Sequence, residues 1–135
     1  MIRITYCLHR LPTLTRAQFQ RYWRETHAPL VVAASEALGI RRYHQQHTLT
    51  SDLACRLAGA QGIPCGEGED FDGIAEIWFD SEAALAAAGS SEEARRHAAI
   101  LAADEARFID FARSRYFLSA ANAVIGGEQV EEASR

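Results

Sequence analysis

A histidine near the end of an aromatic segment is the first candidate for proton-transfer chemistry in this chain. Residues 19–30 place aromatic and apolar side chains at helical spacing, and His27 follows Trp23 by one turn. Because Pro29 disfavours helical geometry at Ala28, we expect the helix to break or kink near His27 and to aim its ring. An imidazole with an ordinary pKa of about 6.5 can act as a general acid or base near neutral pH. The alternative is a half-buried structural histidine that pairs with a carboxylate or a carbonyl.

A second group of polar side chains lies on a predicted strand at residues 40–49. One face of this strand carries Arg41, Tyr43, Gln45 and His47, and the other carries Arg42, His44 and Gln46. Either the strand is an exposed edge, or one face lines a pocket in which Tyr43 and His47 contact a ligand. In a pocket, the Tyr43 hydroxyl could donate to a carbonyl or enolate oxygen. No metal site is expected, because the nearest histidine pair, His44 and His47, falls on opposite faces.

Two acidic residues occur where the surrounding pattern is apolar. Glu76 lies within a predicted apolar strand, on the same face as Trp78. A glutamate in that setting needs a partner such as Arg42, or its pKa rises. Asp104 lies near the apolar stripe of a later predicted helix, where it either orients His27 or caps and pairs locally. We treat both acids as candidate ligand-binding residues.

Two periodicities predict the elements that position these groups. Alternation, or short runs rich in β-branched and aromatic residues, predicts strands at residues 2–10, 40–49, 71–79 and 116–125. Helical spacing predicts helices at residues 15–27, 30–38, 82–88 and 91–112, with Thr15 and Gln18 as a capping box and Gly39 as a left-handed C-cap. Residues 50–70 contain four glycines and no period, so we expect a variable loop there.

The resulting order of elements, βαββαβ, predicts an α+β, ferredoxin-like fold with a four-stranded antiparallel sheet and both helices on one face. The first, third and fourth strands offer apolar residues to both sheet faces, which would leave a large apolar patch on a monomer. We therefore expect a homodimer that packs sheet against sheet and encloses a cavity. Tyr6, Trp78 and Phe117 are expected to form apolar walls of that cavity, and His27 is expected to reach into it.

Composition limits the classes of partner and the compartment. The 135 residues are 48% hydrophobic and 24% charged, as in a folded domain, which we expect at residues 1–125 with an acidic tail at 126–135. A net charge of −4 without clustered positive residues argues against nucleic acid and anionic membrane as partners. No signal peptide or membrane span is indicated. The three cysteines are widely spaced, so we expect reduced thiols in a cytoplasmic protein, and the lack of a cofactor-binding motif predicts no cofactor.

Four short motifs are similar, in the same order, to those of the EthD-like family of the dimeric α/β-barrel superfamily. They read F-x-x-Y-W-x-x-x-H-x-P-L at residues 19–30, G-I-x-x-Y at 39–43, D-G-x-x-E-x-W-F at 72–79 and D-E-x-x-F-x-D at 104–110. The resemblance extends over residues 2–125. It implies a dimeric α/β barrel and, by similarity to methylmuconolactone isomerase relatives, site roles for His27 and Tyr43.

The resemblance also implies a small apolar ligand, because the family and its relatives act on aromatic, lactone and polyketide-like compounds. Our leading hypothesis is a cofactor-independent enzyme that isomerises, dehydrates or cyclises such a compound by proton transfer. His27 would move a proton α to a carbonyl, and Tyr43 would stabilise the enolate. A cofactor-free monooxygenase acting on an aromatic substrate and a non-catalytic binder of apolar ligands are the alternatives.

Overall fold

The computed structural model describes residues 1–127, and this part of the chain contains strands and helices in the predicted order. Its strands are β1 (Ile2–Leu8), β2 (Arg42–His47), β3 (Gly73–Phe79) and β4 (Arg115–Ser119). Its α-helices are α1 (Arg16–Tyr22), α2 (Ala28–Leu38), α3 (Asp52–Gly59), α4 (Glu82–Ala87) and α5 (Glu92–Glu105), with a π-helical turn (Trp23–His27) between α1 and α2. From residue 128 onward, the expected acidic tail lies outside the described residues.

The four strands form one antiparallel sheet in the order β2-β3-β1-β4. The central strands β1 and β3 pair with Ile4 opposite Ile77, and Ile4 also lies opposite Leu118 of β4. Helix α2 packs against α5, and helical and sheet residues share one core. This is the ferredoxin-like α+β fold that the order of elements predicts.

The helix that carries His27 continues through the position where a break was expected. At Ala28 the backbone is helical, with φ −54° and ψ −43°, and its N–H donates to the carbonyl of Trp23, five residues earlier. The wider π-helical turn accommodates Pro29, which has no N–H to donate to the preceding turn. The helix therefore does not break near His27, and the irregularity expected from the sequence takes the form of a π-helical turn that ends at this residue.

Local capping signals are confirmed along the helices. The side chain of Thr15 accepts from the Gln18 backbone and the Gln18 side chain reaches back to Thr15, which is the predicted capping box. Gly39 ends α2 with φ 72°, in the left-handed region that favours glycine. Ser81 and Ser91 cap α4 and α5 with their side-chain hydroxyls.

Residues 50–70, expected to form an irregular loop, contain helix α3 and a disulfide. Cys55 of α3 is bonded to Cys65, with the two Cα atoms 5.2 Å apart, so the expectation of three reduced thiols is wrong. Cys7 is free and buried. Helix α3 contains no buried residue, and its apolar side chains Leu53 and Leu57, one helical turn apart, are exposed.

The elements near the C-terminal end of the described chain are shorter than predicted. Helix α5 ends at Glu105, so Phe108 and Ile109 reach the core from the turn that follows it. Strand β4 ends at Ser119 instead of residue 125. Because Ser119 already lies opposite Arg3, close to the start of β1, no partner strand remains for residues beyond it.

The main core lies between the sheet and the helical segment that contains His27. It consists of Leu8, Phe19, Trp23, Ala75, Phe108 and Ile109. A smaller cluster at the other end of the sheet contains Ile2, Ile4 and Phe79. Within residues 1–127, no helix has the length and apolar character needed to cross a membrane.

A buried carboxylate joins the start of β3 to the segments that follow β1 and begin α1. Asp72 accepts hydrogen bonds from the Arg10 backbone amide at 2.8 Å, from Arg10 Nη1 at 2.7 Å and from Arg16 Nε at 2.9 Å. Burial opposes ionisation, but these donors outweigh it and lower the pKa of Asp72. These hydrogen bonds therefore hold the start of β3, at Gly73, in a defined position next to α1.

Gly73 lies where the backbone of β3 approaches the Trp23 ring, and it provides a test of this packing. A Cβ at Gly73 would collide with the Trp23 ring and lie 2.9 Å from the Gln46 carbonyl oxygen. We predict that Gly73→Ala lowers the free energy of unfolding by about 1–3 kcal/mol, the usual cost of overpacking a core. Urea denaturation measures this change. Gly59→Ala, where nothing lies within 4 Å of the added Cβ, is the control, and an equal loss in both variants would contradict the packing argument.

Candidate active site

His27 is buried and held by a carboxylate from another helix. Its side chain lies at the end of the π-helical turn and is only 3% exposed. Its Nδ1 lies 2.8 Å from Oδ2 of Asp104, in the last turn of α5. The other oxygen of Asp104 accepts a hydrogen bond of 2.5 Å from the Tyr22 hydroxyl. Asp104 therefore orients His27, one of the two alternatives that the sequence left open.

The protonation state of His27 follows from this arrangement. Burial lowers the pKa of the imidazole, and the hydrogen bond and negative charge of Asp104 only partly oppose that shift. The ring is therefore neutral at pH 7. Because a carboxylate can only accept a hydrogen bond, Nδ1 carries the ring proton and its N–H donates a hydrogen bond to Asp104. Nε2 is then left with a free lone pair, which makes it a base.

Glu105 is the site residue that the sequence analysis did not select. Its Oε2 lies 3.8 Å from Nε2 of His27. Burial, followed by the negative charge of Asp104, raises the pKa of Glu105 from 4.5 to about 7. One signal could have found it, since Glu105 follows Leu101 by four residues and Leu101 belongs to the predicted apolar stripe.

Three tyrosines, each from a different strand, lie near His27 and Glu105. Burial, then the charge of Glu105, raises the pKa of Tyr6 to about 12. Burial also raises the pKa of Tyr43, whose hydroxyl accepts from Gln45 Nε2 at 3.0 Å. Tyr116 packs edge-on against Tyr6, with ring centroids 5.2 Å apart. All three phenols therefore keep their protons at neutral pH and can act as hydrogen-bond donors.

A cavity of about 40 Å³ lies between the helices and the sheet, where these groups meet. His27 and Glu105 line it from the helical layer, and Tyr6 and Tyr43 line it from the sheet. The remaining walls are formed by Leu8, Trp23, Val31, Ile40, Ala75, Ile77, Leu101 and Ile109. In this state the cavity holds water-sized molecules, whereas a ring-sized ligand needs several hundred Å³.

An open groove adjoins the cavity and provides the missing space. The groove has a volume of about 280 Å³ and shares Val31, Ile40 and Tyr43 with the cavity. Its outer wall includes Arg41 and Arg42. A ligand larger than the cavity would therefore extend past Tyr43 into this groove.

Three of the predicted site residues lie on the opposite face of the sheet. Trp78, Glu76 and Phe117 alternate with the cavity residues along their strands, so the expected wall of Tyr6, Trp78 and Phe117 is wrong. Glu76 forms the expected salt bridge with an arginine, at 2.6 Å, and the partner is Arg3. Trp78 is only 6% exposed, and the guanidinium groups of Arg3 and Arg42 lie 5.3 and 5.5 Å from its ring centre.

His47 faces the helices but does not line the cavity. Its ring packs against Trp23 with centroids 4.6 Å apart, and its Nε2 lies 2.8 Å from Oε1 of Gln45. The structure thus brings together His27, Tyr43, Tyr6 and Asp104 from the sequence candidates. Among residues 1–127, no group of three or more His, Cys, Asp or Glu side chains could hold a metal ion.

The residues of this site lie within a segment that matches a known protein family. The family model of the EthD domain matches residues 11–112, which include His27, Tyr43, Asp104 and Glu105. The chain belongs to the EthD family. No curated protein matches the sequence.

Solved structures of EthD proteins have the same fold. An EthD family protein from Bacillus halodurans is 18% identical, with 90% of this chain and 99% of that chain covered and a TM-score of 0.57. An EthD-like protein from Ralstonia eutropha is also 18% identical, with 87% and 88% covered and a TM-score of 0.55. A protein from Arabidopsis thaliana is 12% identical, with 93% and 99% covered and a TM-score of 0.54. Likenesses at these identities show a shared fold, and function has to be argued from the site.

The raised pKa of Glu105 predicts a pH-dependent loss of stability. Between pH 4.5 and about 7 the unfolded chain ionises this carboxyl freely, whereas the folded chain retains its proton. The stabilisation from the neutral buried carboxyl is therefore complete at low pH and is lost as the pH rises through about 7. We predict that Glu105→Gln is more stable than the wild type by about 2 kcal/mol at about pH 8 and by much less at about pH 5.

Urea denaturation at the two pH values measures this difference. Glu93→Gln, which removes an exposed carboxyl from the same helix, is the matched control and should show no comparable pH dependence. A wild-type protein that stays as stable as Glu105→Gln at the higher pH would contradict the burial argument.

Proposed function

We propose that this EthD protein is a cofactor-independent enzyme that transfers protons on a small apolar compound with an enolisable carbonyl group. The observation that carries the proposal is the buried His27–Asp104 pair, whose second imidazole nitrogen faces a cavity with Tyr43 in its sheet-side wall. A base, an orienting carboxylate and a hydroxyl donor are the groups that enolisation requires.

His27 would act as the base. With Nδ1–H bound to Asp104, the lone pair of Nε2 is available to a proton on a carbon α to the carbonyl. Asp104 would then stabilise the imidazolium that forms, and the Tyr22 hydroxyl keeps Asp104 in place. The lowered pKa of His27 keeps the base unprotonated at neutral pH before the reaction starts.

Tyr43 would bind the oxygen that becomes negative. Its hydroxyl accepts a hydrogen bond from Gln45 Nε2, which orients it and leaves its own proton for a ligand. Because burial raises the pKa of Tyr43, the phenol remains a donor throughout the neutral range. A preorganised donor at this position lowers the energy of the enolate without solvent reorganisation.

The ligand would be apolar and would enter from the groove. Aliphatic and aromatic side chains form most of the cavity wall, and none of the cavity-lining residues is an arginine. The carbonyl end would lie between Tyr43 and His27, and the rest of the molecule would occupy the groove beside Val31 and Ile40. This arrangement suits an aromatic or polyketide-like ketone or lactone.

We predict that His27→Ala slows proton abstraction at least about 100-fold, since general-base groups contribute about 10²–10⁴ in rate. The measurement is the exchange of α-hydrogens of 2-tetralone in deuterium oxide, followed by proton NMR. Tyr43→Phe should slow the same exchange by about 10-fold or more through loss of the enolate donor.

His97→Ala is the control, because His97 pairs with Glu93 on α5 and is not among the residues that line the cavity. A folded His27→Ala variant with the wild-type exchange rate would refute the proposed base. Consumption of dioxygen in step with turnover would assign the cavity to the oxygenase alternative, and ligand retention without exchange would assign it to a binding protein.

We also propose that two copies of the chain associate through the sheet. Tyr116, Phe117 and Leu118 of the edge strand β4 are 61%, 50% and 42% exposed, an apolar stretch that a second copy would cover. Because Tyr116 packs on Tyr6 at the cavity, the second copy would also shield the site from water.

Light scattering during size-exclusion chromatography tests the association. We predict a dimer for the wild type at micromolar concentration and a monomer for Phe117→Glu. Leu57→Glu, at an exposed apolar position of α3, is the control and should remain dimeric. A monomeric wild type would refute the proposal.

A further inference from the structure

Two groups that can exchange protons face the same cavity from the same layer of the fold. Nε2 of His27 and Oε2 of Glu105 are 3.8 Å apart, too far for a direct hydrogen bond. Both belong to the helical layer, whereas Tyr43 belongs to the sheet. A flat ligand between the layers would therefore present one face to both His27 and Glu105.

We propose that Glu105 is a second catalytic residue, a general acid that returns a proton to the ligand on the face from which His27 removes one. The reaction class is then a suprafacial allylic isomerisation of a neutral unsaturated ketone. The inference rests on the proposed function, because it takes His27 as the base and Tyr43 as the enolate donor.

The isomerisation balances within the cavity and needs no co-reactant. Nε2 of His27 takes a proton from the α-carbon, and the C–H electron pair forms the dienolate, whose oxygen accepts a hydrogen bond from Tyr43. The carboxylic acid of Glu105 then donates its proton to the γ-carbon, and the electrons of the β,γ double bond form the new C–H bond. The electrons of the enolate shift to form the α,β double bond and restore the carbonyl group, and Glu105 is left as the carboxylate. The imidazolium of His27 finally returns its proton to the Glu105 carboxylate through one water molecule in the cavity, which bridges the 3.8 Å between them and restores both groups.

The surroundings of Glu105 favour the protonated acid. The groups that face it are Asp104 on its own helix, His27 on the π-helical turn, and Tyr6, Tyr43 and Tyr116 on three strands. Asp104 is negative, the phenols are neutral, and the imidazole is neutral before the reaction. With no cation to stabilise the carboxylate, the pKa of Glu105 rises to about 7, so a large fraction carries a proton at neutral pH.

The same charges determine which substrates can enter. An anionic group inside the cavity would lie beside Glu105, whereas Arg41 and Arg42 belong to the wall of the adjoining groove. A neutral ketone avoids that repulsion, and its enolate charge develops beside the Tyr43 hydroxyl on the other side. The inference therefore requires that the reacting end of the substrate, in the cavity, is a neutral β,γ-unsaturated ketone.

The experiment separates the two proton transfers with a single probe, 3-cyclohexen-1-one. In deuterium oxide, His27-dependent exchange appears at the α-carbon, and isomerisation to 2-cyclohexen-1-one appears as a conjugated enone by ultraviolet absorbance. We expect Glu105→Gln to lose at least about 10-fold in isomerisation while it retains α-exchange, because Gln cannot donate an acidic proton. Glu105→Asp should retain part of the isomerisation, and Glu93→Gln should retain all of it.

A second readout does not depend on turnover. Carbon-13 NMR of the labelled glutamate carboxyls should show one group that titrates near pH 7 in the wild type and is absent in Glu105→Gln.

Three results would overturn the inference while the proposed base stands: unchanged isomerisation in Glu105→Gln, titration of Glu105 near its ordinary 4.5, or α-exchange without isomerisation in the wild type. Unchanged α-exchange in His27→Ala would instead overturn the proposed function.

Discussion

The hydrogen bond between His27 and Asp104 is the interaction on which the site depends. It connects the π-helical turn to the last turn of α5 across 77 residues of sequence, and both side chains are buried. Burial of two ionisable groups is costly, and the 2.5 Å bond from Tyr22 helps to satisfy the carboxylate. Asp104 therefore fixes Nδ1 of the imidazole, and Nε2 is left free on the side of the cavity. A purely structural histidine would not require a free nitrogen there.

Two adjacent carboxyl groups beside the cavity, those of Asp104 and Glu105, have different surroundings. Asp104 and Glu105 are adjacent in sequence, yet only Asp104 receives hydrogen-bond donors, whereas burial raises the pKa of Glu105 to about 7. A buried carboxyl whose pKa is raised in this way is typical of general acids in enzymes. The small closed cavity and the groove beside Tyr43 divide the site into a reacting end and a ligand-binding end.

Much of the fold could be predicted because local signals agree with the tertiary structure. The capping box at Thr15 and the left-handed Gly39 gave helix ends that the structure contains, and strand alternation gave the antiparallel order. Helix α3 was missed because its one apolar turn, with Leu53 and Leu57 four residues apart, lies in a glycine-rich segment too short to show a period. The Cys55–Cys65 disulfide was missed because spacing along the chain does not report the 5.2 Å separation of the Cα atoms.

Periodicity along the chain was enough to predict the order of the four strands and of the main helices, because it is a local property. The motifs indicated the family, and side-chain chemistry singled out His27 and Tyr43 for proton transfer. The position of the cavity between helices and sheet needed the folded chain, because strand alternation defines two faces without saying which one the helices cover. The tertiary structure also decided the role open to Glu105, since proximity to His27 and loss of solvent arise only when α5 packs over the π-helical turn.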